Sequence, residues 1–544
     1  MVDRICVPFP ELSLADVGLV GGKTASLGEM TRELGTDGVR VPPGFAVTTV
    51  AYDAVLDRGD TRRRLHDVLD GLDPQDVAQL ARRGAVARET ILGAGLPDDV
   101  AAAIVSSYRA LEHLCGAGID VAVRSSATAE DLPEASFAGQ QATLLGVRGD
   151  KALLAACLEC FASLFTDRAI AYRAAHGIDH FAVRGAVAVQ RMVRSDCGAA
   201  GVAFTMDPET GFRNVVLVAG AWGLGESVVA GRVDPDEVIL FKPAIDHAID
   251  PILARKIGSK QVRVEYARRG ADTTRTVPVS DVDRARRCFT DDDAIVIARW
   301  AMAIERHYAT KLGSAPAMDI EWAKDGISGE LFVVQARPET VHSRKDPRRL
   351  VHHVLQEHPK PLVRGVAVGT GVAAGTVRVV HSAEDLAEVR SGDVLVADMT
   401  DPDWVPVLRK AAAIVTDRGG RTCHAAIVSR ELGVPCIVAT GRGTEILRDG
   451  AEVTVSCTTG SVGEVLPGRV AFRTETVHLE DLPTTRTKPM LILADPSQAF
   501  GHASLPVAGV GLVRQEFIVA NHIGIHPLAV LHPDRLDAAT RAQV

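Results

Sequence analysis

The sequence predicts an α/β protein built as an α+β multidomain chain, and three observations support this fold class. At 544 residues the chain is long enough for two to four domains. Its apolar content of 47% supports ordinary cores, while only 4% aromatic residues and abundant alanine favour tight α/β packing. Apolar runs that suit buried strands also alternate along the chain with segments of helical spacing.

Composition also excludes several classes of protein. The formal net charge of −9, without a long lysine and arginine block, argues against a nucleic-acid-binding protein. No apolar run is long enough to span a membrane and the first residues do not resemble a signal peptide, so we expect a cytoplasmic protein. Nine cysteines, an odd number, favour reduced thiols. Cys157 and Cys160 lie on an apolar helix face, which indicates core thiols rather than a metal site.

The first candidate site is the glycine-rich segment 18–30, G-L-V-G-G-K-T-A-S-L-G-E-M. It departs from a P-loop because Gly18 and Gly22 enclose three residues rather than four. Lys23 follows the glycine turn and opens a helix, so its ammonium group can meet a phosphate. A solvated lysine after an ordinary turn is the alternative.

The second candidate is segment 121–131, V-A-V-R-S-S-A-T-A-E-D, in which a strand delivers Arg124 to a loop rich in serine and threonine. A fixed guanidinium fork beside hydroxyl groups and turn amides is a good site for a triphosphate. An ordinary loop with a surface ion pair is the alternative.

One or two helices are expected over residues 151–175, followed by strands near 186–189, 201–205 and 214–218. A tight glycine loop then carries Glu226. This carboxylate is either part of a nucleotide site or an acid that complements the dipole at a helix start.

Two runs with period-two alternation, 318–322 and 331–338, predict a β-hairpin. Asp319 and Glu321 share one face of the first strand, and Gln335 and Arg337 share one face of the second. Carboxylate and amide oxygens are the ligands that Mg²⁺ takes beside ATP phosphates, and an arginine can neutralise charge on a phosphoryl group in transfer. A generic polar strand face is the alternative.

A charged segment near 341–364 reads as a linker with solvated histidines, and a compact domain follows at about 365–467. Within it, a strand at 411–415, the turn Gly419-Gly420 and a helix from His424 precede the C-cap Gly433. The helix dipole lowers the imidazole pKa, and backbone N–H groups of the first turn can receive an anion. His424 therefore suits phosphoryl transfer through a phosphohistidine, with a structural capping histidine as the alternative.

The run G-G-R-T-C-H-A-A at 419–426 resembles the phosphohistidine signature of the phosphoenolpyruvate-utilising enzymes, in the form typical of phosphoenolpyruvate synthase (pyruvate, water dikinase). Segments 18–30 and 121–141, with M-D-I-E-W and V-Q-A-R-P-E-T of the hairpin, are similar to the nucleotide domain of that family. The resemblance implies an ATP-grasp domain, a swivelling β/β/α phosphohistidine domain and the start of a (β/α)8 barrel. The implied division is 1–345 for ATP binding, 346–364 linker, 365–468 phosphohistidine domain, 469–488 linker and 489–544 barrel start.

The resemblance also implies roles for individual residues. His424 would carry the phosphoryl group and Thr422 is a candidate for regulatory phosphorylation, while Arg337 would assist the transfer. Segment 490–493 resembles the first strand of the barrel and segment 509–518 the second, where Arg514 would contact substrate. The implied ATP contacts are Lys23, Arg124, Glu226, Gln335 and Arg337, and the implied Mg²⁺ ligands are Glu321 and Gln335.

The implied reaction has two halves: ATP phosphorylates His424 with release of AMP and phosphate, and His424 then swings to the barrel to convert pyruvate to phosphoenolpyruvate. A (β/α)8 barrel needs ~250 residues, far more than 489–544 provides, so we expect the second half to require a separate barrel-bearing chain. A homo-oligomer is the alternative assembly. Two alternatives remain: a nucleotide-binding regulatory remnant that partners a full-length paralogue, and an antibiotic phosphotransferase of the rifampin type. Arg421 and Cys423 disfavour pyruvate phosphate dikinase, because they match the synthase signature.

Overall fold

The computed structural model describes residues 4–544 except 74–75, 129–130, 133–134, 137–141, 248, 268–273, 340–348, 383–384, 402–403, 422 and 484. These residues form a mixed α/β chain with several sheets, as the composition predicts. No helix in the described part of the chain is long and apolar enough to cross a membrane.

The N-terminal part begins with a five-stranded antiparallel sheet in the order β1-β2-β7-β3-β6, covered by helices. Buried aliphatic and aromatic side chains of the strands and helices form one core beneath it. Its elements are β1 (Cys6–Pro8), α1 (Val17–Glu33), β2 (Gly44–Val47), α2 (Thr49–Leu56), α3 (Thr61–Leu69), α4 (Val77–Ala94), α5 (Asp98–Cys115), β3 (Val121–Ala127), β4 (Asp131–Leu132), β5 (Ala135–Ser136), β6 (Thr143–Val147), α6 (Asp150–Ala162), α7 (Asp167–Ala175) and β7 (Gly185–Arg191).

A six-stranded antiparallel sheet follows, in the order β11-β10-β9-β8-β14-β15. The long helix α10 and helix α1 cover its apolar face. Its elements are β8 (Ala199–Phe204), β9 (Val215–Trp222), α8 (Glu226–Val229), β10 (Asp236–Phe241), β11 (Ile252–Lys256), β12 (Val262–Tyr266), β13 (Thr274–Pro278), α9 (Asp281–Arg284), α10 (Asp291–Leu312), β14 (Met318–Lys324) and β15 (Leu331–Pro338), of which β12 and β13 form a separate ribbon.

Helix α1 joins the two sheets. The backbone N–H of Thr24 donates to Ser126 Oγ on β3 (3.2 Å), and Ser26 Oγ donates to the carbonyl of Ala336 on β15 (2.6 Å). We call the part of the chain built from these two sheets the nucleotide region, after the candidate site described below.

The next part is a closed seven-stranded barrel in the order β17-β21-β20-β19-β18-β22-β23, which we call the histidine domain. Buried apolar side chains, mostly valine, isoleucine, leucine and alanine, form two clusters on its strands, and one of these clusters includes side chains of the helices. The elements are β16 (Arg349–Leu355), β17 (Val363–Val368), β18 (Val372–Val380), β19 (Val394–Ala397), α11 (Val405–Leu408), β20 (Ala413–Thr416), α12 (His424–Leu432), β21 (Cys436–Val438), α13 (Gly443–Ile446), β22 (Glu452–Thr459), β23 (Val462–Pro467) and β24 (Phe472–His478), of which β16 and β24 stand outside the barrel.

Strands β16 and β24 lie in the two segments that the sequence predicts as linkers. β16 pairs with β24 in an antiparallel ribbon over seven residue pairs, from Arg349 with His478 to Leu355 with Phe472. The chain therefore enters and leaves the histidine domain through one two-stranded ribbon. Local composition did not reveal it because the pairing partners are more than one hundred residues apart.

The last segment holds β25 (Leu491–Leu493) and β26 (Val510–Val513), which pair in parallel as the two barrel-like strands would. Short helices complete it, and many of its apolar side chains are exposed. These helices are α14 (Ala499–His502), α15 (Gln515–Ile518), α16 (Leu528–Leu531) and α17 (Ala538–Gln543).

Most of the local expectations are confirmed. Helices α6 and α7 fill 151–175, strands β7, β8 and β9 lie where predicted, and β14 and β15 form the hairpin. Cys157 and Cys160 are buried in the core. Strands β17 and β23, which close the barrel, were not predicted, because closure depends on partners distant in sequence.

Candidate functional site

Arg124 connects the two sheets of the nucleotide region. Its Nη2 forms an ion pair with Glu321 Oε2 on β14 (2.6 Å), and its Nη1 donates to the carbonyl of Val334 on β15 (3.0 Å). Burial by itself raises the pKa of the Glu321 carboxyl, but Arg124, Lys23 and Arg337 outweigh burial and hold that pKa below its usual range. The structure therefore gathers three of the predicted cationic residues around one carboxylate.

The glycine turn before Lys23 packs against the strand that carries Arg124. Helix α1 is interrupted at Gly21, whose φ of 74° and ψ of 164° are non-helical. A Cβ on Gly21 would lie 2.6 Å from the backbone carbonyl carbon of Ser126, so only glycine permits this approach. Segments 18–30 and 121–131, which were predicted separately, thus form one surface.

The hairpin aligns its polar residues in pairs. Glu321 lies opposite Gln335, and Asp319 lies opposite Arg337. Arg337 donates to Asp319 Oδ2 from Nε (2.9 Å) and from Nη2 (2.7 Å). These pairs follow from the strand alternation that the sequence predicted.

Gln335 offers an oxygen for a ligand. Its side chain is buried, and Oε1 has no hydrogen-bond partner among the described residues. A buried amide oxygen without a partner is unfavourable unless another group supplies the interaction. Beside the carboxylate of Glu321, this donor set fits a hard cation such as Mg²⁺. The described residues contain no cluster of three or more His, Cys, Asp or Glu side chains suited to a metal.

Two predicted residues have other surroundings. Glu226 is the first residue of α8 and forms an ion pair with Arg232 (3.4 Å), which fits the helix-start alternative. Arg514 is exposed, with its guanidinium 5.7 Å from the Phe517 ring. Neither residue has a hydrogen bond or ion pair, within the described chain, to the cluster around Glu321.

His424 is the first residue of α12, and Gly433 ends this helix in the left-handed conformation, as predicted. Its imidazole Nδ1 lies 2.8 Å from the hydroxyl of Thr400, which follows β19. Burial lowers the pKa of His424 to about 4, opposed by Asp401 and assisted by Arg168 on α7. The ring is therefore neutral at pH 7.

The lowered pKa was expected, but its main cause is different. The sequence pattern assigned it to the helix dipole, whereas desolvation by the surrounding protein is the largest effect. Arg168 belongs to the nucleotide region, so the environment of His424 includes both parts of the molecule.

A glycine of the nucleotide region meets the start of α12. Gly231 follows α8 with a φ of 62°, and a Cβ there would come within 3.0 Å of backbone atoms of Cys423 and His424. His424 thus lies at the boundary between the histidine domain and the nucleotide region.

Sequence reasoning missed Thr400 and Gly231. Thr400 lies in the V-L-V-A-D-M-T-D run at 394–401, to which the sequence analysis assigned no functional residue. Gly231 lies in none of the motifs that the sequence analysis identified. Thr422 lies outside the described residues.

Comparisons with known proteins agree with this organisation. Residues 17–358 match the family described as pyruvate phosphate dikinase, AMP/ATP-binding domain. Residues 389–460 match the family described as PEP-utilising enzyme, mobile domain. The two matches separate the region of Arg124 and Glu321 from the region of His424.

Curated relatives match along nearly the whole chain. Phosphoenolpyruvate synthase of Synechocystis is 46% identical over 98% of this chain and 66% of its own length. The enzyme of that name from Aquifex aeolicus is 49% identical over 97% of this chain and 62% of its own length. That of Pseudomonas aeruginosa is 47% identical over 100% of this chain and 68% of its own. The chain thus spans about two thirds of the length of these relatives.

Proposed function

Because the chain belongs to the phosphoenolpyruvate synthase family, we propose that it is a phosphotransferase that uses ATP to phosphorylate His424. ATP would bind beside Lys23, Arg124 and Arg337. His424 would attack the β-phosphorus and displace AMP, and water would then release the γ-phosphate as inorganic phosphate, so that the β-phosphoryl group stays on the ring. The observation that carries the proposal is a neutral imidazole, oriented by Thr400, which lies against the nucleotide region at Gly231.

Thr400 supports attack through Nε2. If the Nδ1–H donates to the hydroxyl oxygen of Thr400, the lone pair of Nε2 is available to accept the phosphoryl group. The opposite tautomer would place the proton on Nε2 and remove its nucleophilicity. Backbone N–H groups in the first turn of α12 favour the negative charge that the phosphorylated ring acquires.

The cations of the nucleotide region support binding of a polyphosphate. Arg124 and Arg337 are each paired with a carboxylate, so their guanidinium groups are held in place before ATP arrives. A preorganised positive group stabilises charge on the transferring phosphoryl without reorganisation at the moment of reaction. We propose Arg337 as the residue that acts on the group in transfer, and Gln335 as a further nucleotide contact. Glu226 is proposed as a contact on the family resemblance alone, because its ion pair with Arg232 fits the helix-start alternative.

Glu321 and Gln335 are the residues that we propose would hold Mg²⁺. The partnerless buried oxygen of Gln335 and the adjacent carboxylate support this choice. When bound, the cation would neutralise phosphate charge and polarise the phosphoryl oxygens. Arg124 keeps Glu321 ionised, which a cation ligand requires.

At the level of the whole protein, we propose the fold and activity of the family. The nucleotide region would be an ATP-grasp domain, the histidine domain a mobile carrier, and 489–544 the beginning of a (β/α)8 barrel, with the domain limits predicted from the sequence. The parallel pairing of β25 with β26 and the ribbon beneath the histidine domain support this division. Pyruvate and phosphoenolpyruvate would be the substrate and product of the second half-reaction.

Labelling with radioactive ATP tests the proposal. We expect label from the β position, but not the γ position, to remain on the protein in the presence of Mg²⁺. The label should be lost in mild acid, because phosphohistidine is acid-labile, and His424→Ala should abolish it. Histidine at the exposed position 352 provides a matched control, since His352→Ala should label normally. An acid-stable label, or full labelling of His424→Ala, would contradict the proposal.

A further inference from the structure

The boundary between the histidine domain and the nucleotide region contains an ion pair that the proposed chemistry does not use. Arg430 on α12 pairs with Glu209, and the side chains are only 11% and 14% exposed. Arg430 Nη2 also donates to the carbonyl of Arg421, in the turn that precedes His424 (2.6 Å). One guanidinium thus connects the nucleotide region to the backbone that positions His424.

Glu209 stands on a tight turn that fixes its position. The N–H of Asp207 donates to the carbonyl of Phe212 (2.9 Å), and the N–H of Gly211 donates to the carbonyl of Asp207 (2.8 Å). Asp207 also accepts from the backbone N–H of Thr210 (2.9 Å). A turn held by these bonds presents the Glu209 carboxylate with little freedom, which lowers the entropic cost of pairing.

Gly231 supplies a second contact at the other end of the same helix. Because a Cβ at this position would overlap the backbone of Cys423 and His424, the two segments approach here as closely as glycine allows. The Arg409 guanidinium, after α11, lies 5.7 Å from the Tyr172 ring on α7 and provides a third contact. Three contacts at separate points of the histidine domain restrict both the position and the rotation of α12.

We propose that Glu209 and Gly231 form a docking latch that holds the histidine domain against the nucleotide region for the ATP half-reaction. Glu209 selects the orientation through Arg430, and Gly231 allows the start of α12 to approach closely. Both are positioning residues, because they act through α12 and its preceding turn rather than on the phosphoryl group. The proposal rests on the proposed function of His424, but docking itself can be measured without any phosphorylation.

Charge reversal with rescue tests the Glu209 contact. Glu209→Arg and Arg430→Glu should each increase amide hydrogen exchange across 419–432 and slow labelling of His424 about tenfold. The Kd of a non-hydrolysable ATP analogue should change less than about twofold in either variant, because the nucleotide site is untouched. The double variant should recover labelling to within about threefold of the unchanged protein, because the pair is restored with reversed charges. Glu330→Arg is the matched control, since Glu330 pairs with Arg40 inside the nucleotide region (2.9 Å).

Gly231→Ala tests the close approach independently. It should increase exchange across 419–432 and slow labelling at least as much as Glu209→Arg. Gly313→Ala is its control, because Gly313 has a similar φ of 65° and no atom within 4 Å of the place that a Cβ would take, so it carries the same backbone strain without the overlap. Thermal unfolding identifies variants that fail to fold. If Gly231→Ala does not fold, the charge-reversal variants of Glu209 and Arg430 alone test the proposal.

Two results would overturn the latch: exchange across 419–432 that is the same in Glu209→Arg as in Glu330→Arg, or a double variant as defective as the worse single variant. If the unchanged protein takes no label from ATP, the proposed function fails. The exchange measurements then still decide whether Glu209 and Gly231 hold the domain in place.

Discussion

The proposed nucleotide site around Glu321 and the proposed phosphoryl-accepting site at His424 are prepared for phosphoryl transfer by different physical effects. Around Glu321, charged side chains on both sheets are paired with each other, so the site is held by fixed charge. At His424, the ring is neutral because burial disfavours its charged form, and one hydroxyl orients it. The first arrangement suits a site that binds a polyanion such as ATP. The second suits a nucleophile that must be uncharged before it accepts a phosphoryl group.

The difference also extends to how each site is assembled. The residues of the nucleotide site stand on strands of two sheets that α1 ties together. The surroundings of His424 come partly from the histidine domain and partly from the nucleotide region. We therefore expect substitutions around Glu321 to alter ATP binding, the rate of phosphoryl transfer and the stability of the fold. Substitutions around His424 should alter mainly the reactivity of its imidazole. Four measurements test this contrast, in decreasing order of expected effect.

Arg337→Met should have the largest effect. Removing a preorganised charge from a phosphoryl-transfer site costs about 10²- to 10³-fold in rate, so the initial rate of His424 labelling should fall by that amount. Rapid-quench labelling measures it, with thermal unfolding in parallel because Asp319 loses its partner. Arg40→Met, which breaks an exposed ion pair elsewhere, is the control. A decrease of less than about threefold would remove Arg337 from the proposed role.

Arg124→Met should destabilise the nucleotide region. It leaves the part-buried carboxylate of Glu321 without its arginine, which we expect to lower the free energy of unfolding by about 1–3 kcal/mol. Chemical denaturation measures this change. The double variant Arg124→Met/Glu321→Gln should recover part of the loss, because no unpaired charge remains. Without such recovery, the loss would reflect packing of the arginine stem rather than the ion pair.

Thr400→Val should slow labelling about tenfold without changing ATP affinity, because the ring loses the partner that fixes its tautomer and orientation. Thr400→Ser retains the hydroxyl and should label within about twofold of the unchanged protein. Comparing the two variants separates the hydrogen bond from side-chain volume. Equal labelling rates for Thr400→Val and Thr400→Ser would mean that the hydroxyl does not orient the imidazole of His424.

The smallest expected effect is that of pH on the nucleophile. With a pKa of about 4, His424 stays neutral from pH 7.5 to 5.5, so protonation of this ring should reduce the labelling rate less than about twofold. A histidine with an ordinary pKa would lose most of its neutral form over the same range. Pre-steady-state labelling at saturating ATP measures this dependence. A tenfold fall with a midpoint near pH 6.5 would mean that the ring is not desolvated during reaction.

The same lowered pKa has a consequence for stability. In the unfolded chain His424 binds a proton near pH 6.5, while in the folded chain it does so only near pH 4. The unfolded state therefore gains protons first as pH falls, and the stabilisation present above pH 6.5 is lost between pH 6.5 and 4. Denaturation of His424→Gln beside the unchanged protein isolates this contribution, since the variant lacks the titrating group.

The polar hairpin and the helix of His424 were predictable because their signals are local. Period-two alternation placed Asp319, Glu321, Gln335 and Arg337, and the structure pairs them in the register that a hairpin requires. Helical spacing and Gly433 gave the extent of α12. Glu226 shows the limit of such signals, since a carboxylate after a glycine loop is equally consistent with a helix start.

The sequence alone determined which local elements form and which side chains they display, because alternation, helical spacing and glycine turns act between near neighbours in the chain. Tertiary structure decided which of these side chains meet. It brought Thr400 to His424, Gly231 and Glu209 to α12, and β16 to β24, and it closed the seven-stranded barrel. These contacts depend on packing between distant segments, and desolvation, which lowers the pKa of His424, exists only after those segments have packed.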